Sequence, residues 1–211
     1  MRASRPRDSG THCPRCLLRR DICICNVLPD VRTKTEFLIL RHIWEAGRPG
    51  NTGRLAALAL PNSRILPCGG GNRLLSSAFD DAALQAPGTW LLWPDGPAGP
   101  RKIWEQTPPR RVAVLDATWH QARRLYRQTP LLQSLPRLAL PAPRQNRERL
   151  RDQRRPDGLS TLEAIAAAVA LLEGSETARP LEELYDEVVR RRNALRWGRN
   201  SPATGLRSDS L

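Results

Sequence analysis

Four cysteines lie close together near the beginning of the chain, at Cys13, Cys16, Cys23 and Cys25. Their Cys-x2-Cys-x6-Cys-x-Cys spacing is typical of four thiolates around a tetrahedral zinc ion. The surrounding segment has few apolar residues, so metal binding would supply the free energy that folds it. Disulfides and a loop without metal are the alternatives, but nothing in the sequence suggests export to an oxidising compartment. The pattern therefore predicts a structural zinc site.

Asp116 is a second residue with chemical potential, because it directly follows the apolar run Val112–Leu115. A helix is predicted to begin near Trp119, which places the carboxylate at a turn from strand to helix. A side chain at such a turn is held rigidly and can act as a general base. Spacing alone favours the simpler interpretation that Asp116 caps the helix. Trp119 likewise suits packing as well as stacking on a nucleobase.

The charge of the chain favours an anionic partner. It has 34 Lys and Arg against 21 Asp and Glu, a formal net charge of +13 and a pI near 11.1. Basic side chains that neutralise phosphates release condensed counterions, which gives affinity for nucleic acids. Almost all of the positive charge is arginine, which suits RNA, although a genome that prefers arginine codons explains that choice equally well. The composition predicts an RNA partner.

Apolar runs alternate with helical patterns from Glu36 onward, which predicts an α/β fold with a mostly parallel sheet and helices on both faces. The predicted strands are Phe37–Leu40, Arg64–Leu66, Thr89–Trp93, Val112–Leu115 and the apolar stretch Leu135–Leu140. The predicted helices are Thr52–Leu60, Trp119–Arg127, a helix to about Glu173 that opens on a capping box of Ser160 and Glu163, and Leu181–Trp197. Ligands of such sheets bind at the carboxyl ends of the strands, and Asp116 lies at one of those ends.

The chain divides into four predicted parts. These are a disordered basic leader at 1–12, the four-cysteine element at 13–30, the α/β domain at 31–197 and a flexible tail at 198–211. No apolar run approaches the roughly 18 residues that span a bilayer, and the basic, polar start does not have the pattern of a secretory signal. We therefore expect a cytoplasmic protein without membrane attachment, and no obligatory protein partner is evident.

Several motifs occur in an order that is more specific than any one of them. They are the four cysteines at 13–25, His42-Ile43-Trp44-Glu45, Asn51-Thr52-Gly53-Arg54-Leu55-Ala56, Leu91–Pro94, Asp116-Ala117-Thr118-Trp119 with Gln121–Arg123, and Leu159–Ala164. Together they resemble the DTW-domain family of tRNA uridine aminocarboxypropyltransferases, over about residues 13–173. The chain departs from the family pattern at Ile43, where Pro is frequent, and at Glu148, where an aromatic residue is expected.

The resemblance implies a SPOUT-like fold with a C-terminal knot around S-adenosylmethionine, and a structural zinc ion. It also implies transfer of the 3-amino-3-carboxypropyl group from S-adenosylmethionine to N3 of a uridine in tRNA. The implied catalytic residues are Asp116, as base, with Thr118 and Trp119. A SPOUT-type RNA methyltransferase and a non-catalytic, zinc-containing RNA-binding protein are the alternatives.

The residues expected to bind the donor and the tRNA combine this resemblance with local chemistry. Turns rich in Gly and Pro let a ligand approach the main chain, and a helix N-terminus can bind a carboxylate, although capping explains Ser160 and Thr161 equally well. The expected donor-binding residues are Leu66, Pro67, Cys68, Gly69, Leu92, Trp93, Pro94, Leu115, Ser160, Thr161 and Glu163. The expected tRNA-binding residues are Asn51, Thr52, Arg54, Arg123, Arg149 and Arg151; a capped turn and a solvated charge run are their simpler interpretations.

Overall fold

Five parallel strands form the central sheet of the protein. The computed structural model describes residues 10–69, 81–94, 107–141, 150 and 158–200. The strands are β1 Glu36–His42, β2 Ser63–Cys68, β3 Thr89–Leu92, β4 Arg111–Asp116 and β5 Arg137–Leu138. Their order across the sheet is β2-β1-β4-β3-β5, and every neighbouring pair is parallel. Parallel neighbours require crossover connections, which helices usually provide. The predicted mostly parallel α/β architecture is confirmed.

Six α-helices lie between and after these strands in the described part of the chain. They are α1 Thr52–Ala59, α2 Asp81–Gln85, α3 Trp119–Gln128, α4 Pro130–Ser134, α5 Thr161–Glu173 and α6 Ser175–Asn200, and two 3-10 helices lie at Arg20–Ile22 and Ile43–Glu45. The predicted start of the last helix at Leu181 was wrong, because the helix begins at Ser175 and continues through Pro180. Among these helices none has the length and apolar character needed to cross a bilayer.

The sheet has an apolar layer on each face, because successive strand residues point in opposite directions. Phe37 and Ile39 of β1 belong to a core that includes apolar residues of α1, α5 and α6. Leu38 and Leu40 belong to a second core, which includes residues of α2, α3 and α4. Helices therefore cover both faces, as the alternating pattern predicted.

The four-cysteine element packs against the α/β part of the chain. Leu18 and Ile24 of the element are buried in the first core, beside the last helix. Arg191 of α6 donates hydrogen bonds to the carbonyl oxygen of Cys23 and to Oδ1 of Asn26. The element thus contributes apolar residues to the first core.

Candidate active site

Asp116 is the last residue of β4, and its carboxylate is buried at the carboxyl edge of the sheet with 3% exposure. Nδ2 of Asn51 donates a 2.8 Å hydrogen bond to Oδ2. The hydroxyl of Thr161 donates a 2.7 Å bond to Oδ1. Asn51 precedes α1 and Thr161 begins α5, so one carboxylate joins the ends of three elements.

Asn51 caps α1, which was the simpler interpretation of this residue, and it also binds Asp116. Its Oδ1 accepts a 2.8 Å hydrogen bond from the backbone N–H of Arg54 and so caps α1. Because the cap requires the amide oxygen, the amide nitrogen is directed to Asp116. Thr52 is the first residue of α1 and is half-buried, and Nη2 of Arg54 donates a 2.8 Å bond to the carbonyl oxygen of Ala46.

Gly53 allows α1 to approach the carboxylate. A Cβ atom placed on Gly53 would overlap the carboxyl group of Asp116. A residue with any side chain would therefore push α1 or the carboxylate out of place. Local patterns gave no role to Gly53, since only the contact with Asp116 shows why a helix contains glycine here.

Thr118, and not Asp116, caps the helix that follows β4. The Thr118 hydroxyl accepts a 3.4 Å bond from the backbone N–H of Gln121, and the Gln121 side chain accepts one of 2.9 Å from the Thr118 N–H. The interpretation that Asp116 is the cap was wrong, because this capping box already closes the helix start. The Asp116 carboxylate is therefore used between elements rather than within one.

The capping box predicted at the start of α5 is confirmed. The Glu163 carboxylate accepts a 2.9 Å bond from the backbone N–H of Ser160, and the Ser160 hydroxyl accepts a 3.3 Å bond from the N–H of Glu163. These two residues fix the first turn, so the helix presents the Thr161 hydroxyl to Asp116 in a defined position.

The turn after β2 places the backbone of Gly69 against His42. Gly69 has φ +81°, and a Cβ atom there would lie 2.6 Å from Nε2 of His42. Nδ1 of His42 accepts a 3.3 Å hydrogen bond from the backbone N–H of Trp44. Burial, and secondly the charge of Arg124, lowers the pKa of His42 below its usual 6.5. The close approach explains why the turn needs glycine.

Cys68 has its side chain in the second core and is fully buried. Burial, and secondly the charge of Asp116, raises the pKa of the Cys68 thiol to about 12. A neutral thiol is a poor nucleophile, so the buried Cys68 side chain has a packing role in the second core.

Three aromatic side chains gather beside the sheet edge. The ring of Trp93 stacks on Tyr126, with centroids 4.5 Å apart, and meets Trp119 in a T-shaped contact at 6.1 Å. The guanidinium of Arg137 lies 5.3 Å from the centroid of the Tyr126 ring. Trp119 is only half-buried, so it packs within the protein and still has surface for a ligand.

The other predicted site residues fall into three groups. Because β2, β3 and β4 are parallel, their ends bring Leu66, Pro67, Leu92, Pro94 and Leu115 to the same edge as Asp116. Arg123 is exposed on α3. Arg149 and Arg151 lie outside the described residues.

The four clustered cysteines have the geometry of a metal site. Their Sγ atoms all lie within 4.8 Å of one another, with Cys13 and Cys25 at 3.6 Å and Cys16 and Cys23 at 3.7 Å. A Zn–S bond of about 2.3 Å gives a tetrahedral sulfur–sulfur edge of about 3.8 Å, so the cluster fits zinc. None of the four is in a disulfide.

The thiols of the cluster differ in their pKa values. A hydrogen bond from the backbone of Cys16 is the main cause that lowers the pKa of Cys13 to about 6. Burial, followed by the neighbouring thiols, raises the pKa of Cys25 to about 12. A bound cation would favour the thiolate at all four positions, which is the form that ligates zinc.

A family model described as the DTW domain matches residues 10–193. The chain belongs to the DTW-domain family. This DTW-domain chain is 34% identical over 133 residues to a protein of Arabidopsis thaliana named tRNA-uridine aminocarboxypropyltransferase A. The aligned region covers 54% of the chain and 49% of the plant protein. It is 28% identical over 192 residues to tRNA-uridine aminocarboxypropyltransferase 2 of Drosophila melanogaster, over 88% of the chain and 73% of the fly protein.

A Macaca fascicularis protein named tRNA-uridine aminocarboxypropyltransferase 2 is 27% identical over 192 residues, which are 85% of the DTW-domain chain and 64% of the macaque protein. The chain thus spans about half the length of the plant relative. No solved protein structure matches it significantly. Asn51, Asp116 and Thr161 all lie inside the matched DTW-domain region.

Proposed function

We propose that this protein transfers the 3-amino-3-carboxypropyl group of S-adenosylmethionine to N3 of a uridine in tRNA. The observation that carries the proposal is the buried Asp116 carboxylate, which Asn51 and Thr161 hold at the carboxyl edge of the sheet. This residue begins the Asp-Ala-Thr-Trp signature, and the similar members of the family are named tRNA-uridine aminocarboxypropyltransferases. Parallel sheets bind their ligands at this edge.

The charges at the sheet edge suit S-adenosylmethionine, which is positive at its sulfonium and ammonium groups and negative at its carboxylate. Asp116 offers a negative charge, and Arg41 and Arg54 nearby offer positive ones. The adenosine would lie beside the turn that follows β2, at the same edge of the sheet as Asp116. The ends of β3 at Leu92–Pro94 and of β4 at Leu115 would form the other wall.

Asp116 would take the proton from N3 of the uracil, an imide that is protonated at neutral pH. Each of its oxygens accepts one hydrogen bond from a neutral donor and keeps a second lone pair for the proton. Neither donor is charged, so the two bonds orient the carboxylate without neutralising it. This arrangement gives a rigid base rather than an ion pair.

When bound, S-adenosylmethionine supplies a γ-carbon activated by the attached sulfonium. The uracil N3 forms a bond to that carbon, the carbon–sulfur bond breaks, and its electron pair remains on sulfur, so that methylthioadenosine leaves. The chain selects this carbon over the methyl group by position, since orientation of the reacting atoms is a major part of catalysis. Thr118 and Trp119, which follow Asp116, would shape the uracil pocket.

The tRNA would contact arginines through its phosphates. Arg123 on α3 is exposed, and Arg149 and Arg151 would add positive charge to this contact. The zinc ion would be structural, held by the four cysteines near the N-terminus. Reducing surroundings keep such thiols available, which is consistent with a cytoplasmic location.

We also propose the SPOUT-like knot and the division at 13–30 and 31–197. The parallel sheet with a crossover order is compatible with a knotted return of the chain. A crystal structure in which α5 passes through a loop of the preceding chain would bear out the knot, and one in which it does not would refute it. Separate unfolding of 13–30 and 31–197 would test the boundary.

The decisive experiment incubates the purified protein with bulk tRNA and S-adenosylmethionine and identifies the product nucleoside by mass spectrometry. A uridine that carries the aminocarboxypropyl group, together with methylthioadenosine, is the expected result. A methylated nucleoside would instead identify a methyltransferase. If the protein binds tRNA but neither binds the donor nor makes any product, it is a non-catalytic RNA-binding protein.

A further inference from the structure

Arg41 is a cation at the site that no local pattern in the sequence singled out. It is the last residue but one of β1, and in the sheet it lies directly beside Asp116 of β4. Residues in register on parallel neighbours point to the same face, so its side chain lies on the face that α1 and α5 cover. The Arg41 side chain is half-buried.

The guanidinium of Arg41 has no partner among the described residues. It makes no hydrogen bond and no ion pair with them, and its Nε atom is buried without an acceptor. Buried donors in folded proteins are almost always paired, because an unpaired one loses its water without compensation. Within the described part of the chain, Arg41 has an unpaired, buried donor at the edge where ligands bind, so it is suited to bind a hydrogen-bond acceptor of a ligand.

Arg54 is a second arginine whose Nε donor has no acceptor among the residues that the structure describes. Its Nη2 atom is bound to the carbonyl oxygen of Ala46, but its Nε atom is also buried without an acceptor. Burial and then the charge of Arg54 lower the pKa of Arg41, while the charge of Asp116 opposes them. The Asp116 carboxylate is bound by Asn51 and Thr161 instead of by either arginine. Two neighbouring guanidiniums thus share an uncompensated positive charge.

We infer that Arg41 and Arg54 bind the α-carboxylate of the aminocarboxypropyl arm of the donor. The inference rests on the proposed function and names the group of the substrate that this part of the site recognises. A guanidinium presents two parallel N–H donors that match the two oxygens of a carboxylate. With the carboxylate on Arg41 and the positive sulfonium towards Asp116, the arm would be stretched between the two charges, which would present its γ-carbon to the uracil.

A phosphate of the tRNA has the same anionic chemistry, so the test must separate the two sources. Isothermal titration of the full-length protein compares S-adenosylmethionine with methylthioadenosine, which lacks the amino-acid arm. In Arg41→Met we expect binding of S-adenosylmethionine to weaken at least about tenfold, with binding of methylthioadenosine unchanged. Unchanged methylthioadenosine binding also shows that the variant is folded.

The matched control is Arg32→Met, which removes the same charge from a side chain that is 86% exposed and paired only loosely with Asp30 at 3.3 Å. This control should bind both ligands like the wild type. Arg41→Lys keeps the charge but loses the forked geometry, and we expect it to recover only part of the affinity for S-adenosylmethionine.

A donor analogue in which hydrogen replaces the carboxylate completes a double-mutant cycle. The wild type should bind this analogue more weakly than S-adenosylmethionine, and the difference should be several-fold smaller in Arg41→Met, which keeps only Arg54. If Arg41→Met loses the same affinity for S-adenosylmethionine and for the analogue, the inference is wrong. It is also wrong if Arg41→Met weakens tRNA binding and leaves S-adenosylmethionine binding intact, because the two arginines would then bind a phosphate. A wild type that binds neither S-adenosylmethionine nor methylthioadenosine would instead refute the proposed function.

Discussion

The four-cysteine cluster and the Asp116 network are both polar groups that connect parts of the chain, but they are built in opposite ways. The cluster takes all its members from residues 13–25, within one loop. The network brings donors to Asp116 from residues 65 positions before it and 45 positions after it. A zinc ion bound by the cluster would stabilise one segment of the chain, whereas the Asp116 network depends on the packing of three elements. Perturbation should therefore separate them.

Loss of the metal should have the largest effect on stability, and it should be confined at first to the N-terminal element. Cys16→Ser removes one of four ligands, and structural zinc supplies much of the folding free energy of such elements. We expect the zinc content to fall from about one ion per chain to nearly none and the melting temperature to drop. Metal analysis and differential scanning calorimetry measure both.

Cys68→Ala is the matched control, because Cys68 lies in the second core and outside the cluster. It should keep the zinc and lose only about 1 kcal/mol of stability from the smaller side chain. If Cys16→Ser keeps a full zinc content, the cluster is not the metal site.

Asp116→Asn should have the largest effect on activity without the stability loss of a cysteine variant. The amide has nearly the shape of the carboxylate but cannot accept the uracil proton. General-base catalysis is worth about 10²- to 10⁴-fold, so the rate of tRNA modification should fall by that factor. Methylthioadenosine binding should persist in calorimetry. An active Asp116→Asn protein would remove Asp116 from the chemistry and leave it a purely structural role.

The two donors to Asp116 should differ in what their loss disturbs. Thr161→Val removes one hydrogen bond and keeps the shape of the side chain, so activity should fall about tenfold with little change in stability. Asn51→Ala removes a hydrogen bond and also the cap of α1, which adds a loss of about 1 kcal/mol of stability. Steady-state kinetics and urea unfolding distinguish them. Equal stability of both variants would contradict the double role of Asn51.

Gly53→Ala tests how tightly the network is packed. Alanine is the better helix former, so in an open helix this change would stabilise the protein by about 1 kcal/mol. Here the new Cβ atom overlaps the Asp116 carboxyl group, and overpacking should reverse the sign to a loss of about 1–3 kcal/mol. Chemical denaturation gives the sign directly, and a stabilised variant would mean that α1 does not press on Asp116.

The smallest expected effect is a pH dependence from His42. Burial lowers its pKa from 6.5 in the folded protein, so the unfolded chain binds more protons just below that pH. The contribution of His42 to the free energy of unfolding is therefore fully present above pH 6.5 and is lost as the pH falls towards the pKa of His42 in the folded protein. Unfolding free energies between pH 7 and 5 should show this slope, and His42→Gln should flatten it. An unchanged slope in that variant would assign it to other groups.

The contrast between local and long-range contacts also explains which features could be predicted from the sequence. The parallel strands, the cysteine cluster and the capping box of Ser160 and Glu163 follow from local spacing, and the structure confirms the strands, the metal geometry and the cap. The short helices α2 and α4 were not predicted, because five residues carry too little periodicity.

The arrangement of the candidate site was less accessible to sequence reasoning. Asp116 and Thr118 are both good caps, and only the observed bonds show that Thr118 closes the helix while Asp116 binds other elements. Gly53 and Arg41 gave no local signal, since their roles arise from contact with β4, which is distant in sequence. Patterns of a few residues cannot report such contacts.

The residues of the Asp116 network are far apart in the sequence, so they are synthesised at different times. Translation proceeds from the N-terminus, so β4 leaves the ribosome well before Thr161 does. Until then Thr161 cannot donate its hydrogen bond to the carboxylate. A nascent chain arrested before residue 161 would carry the whole Asp-Ala-Thr-Trp signature and still lack one of the two donors to Asp116.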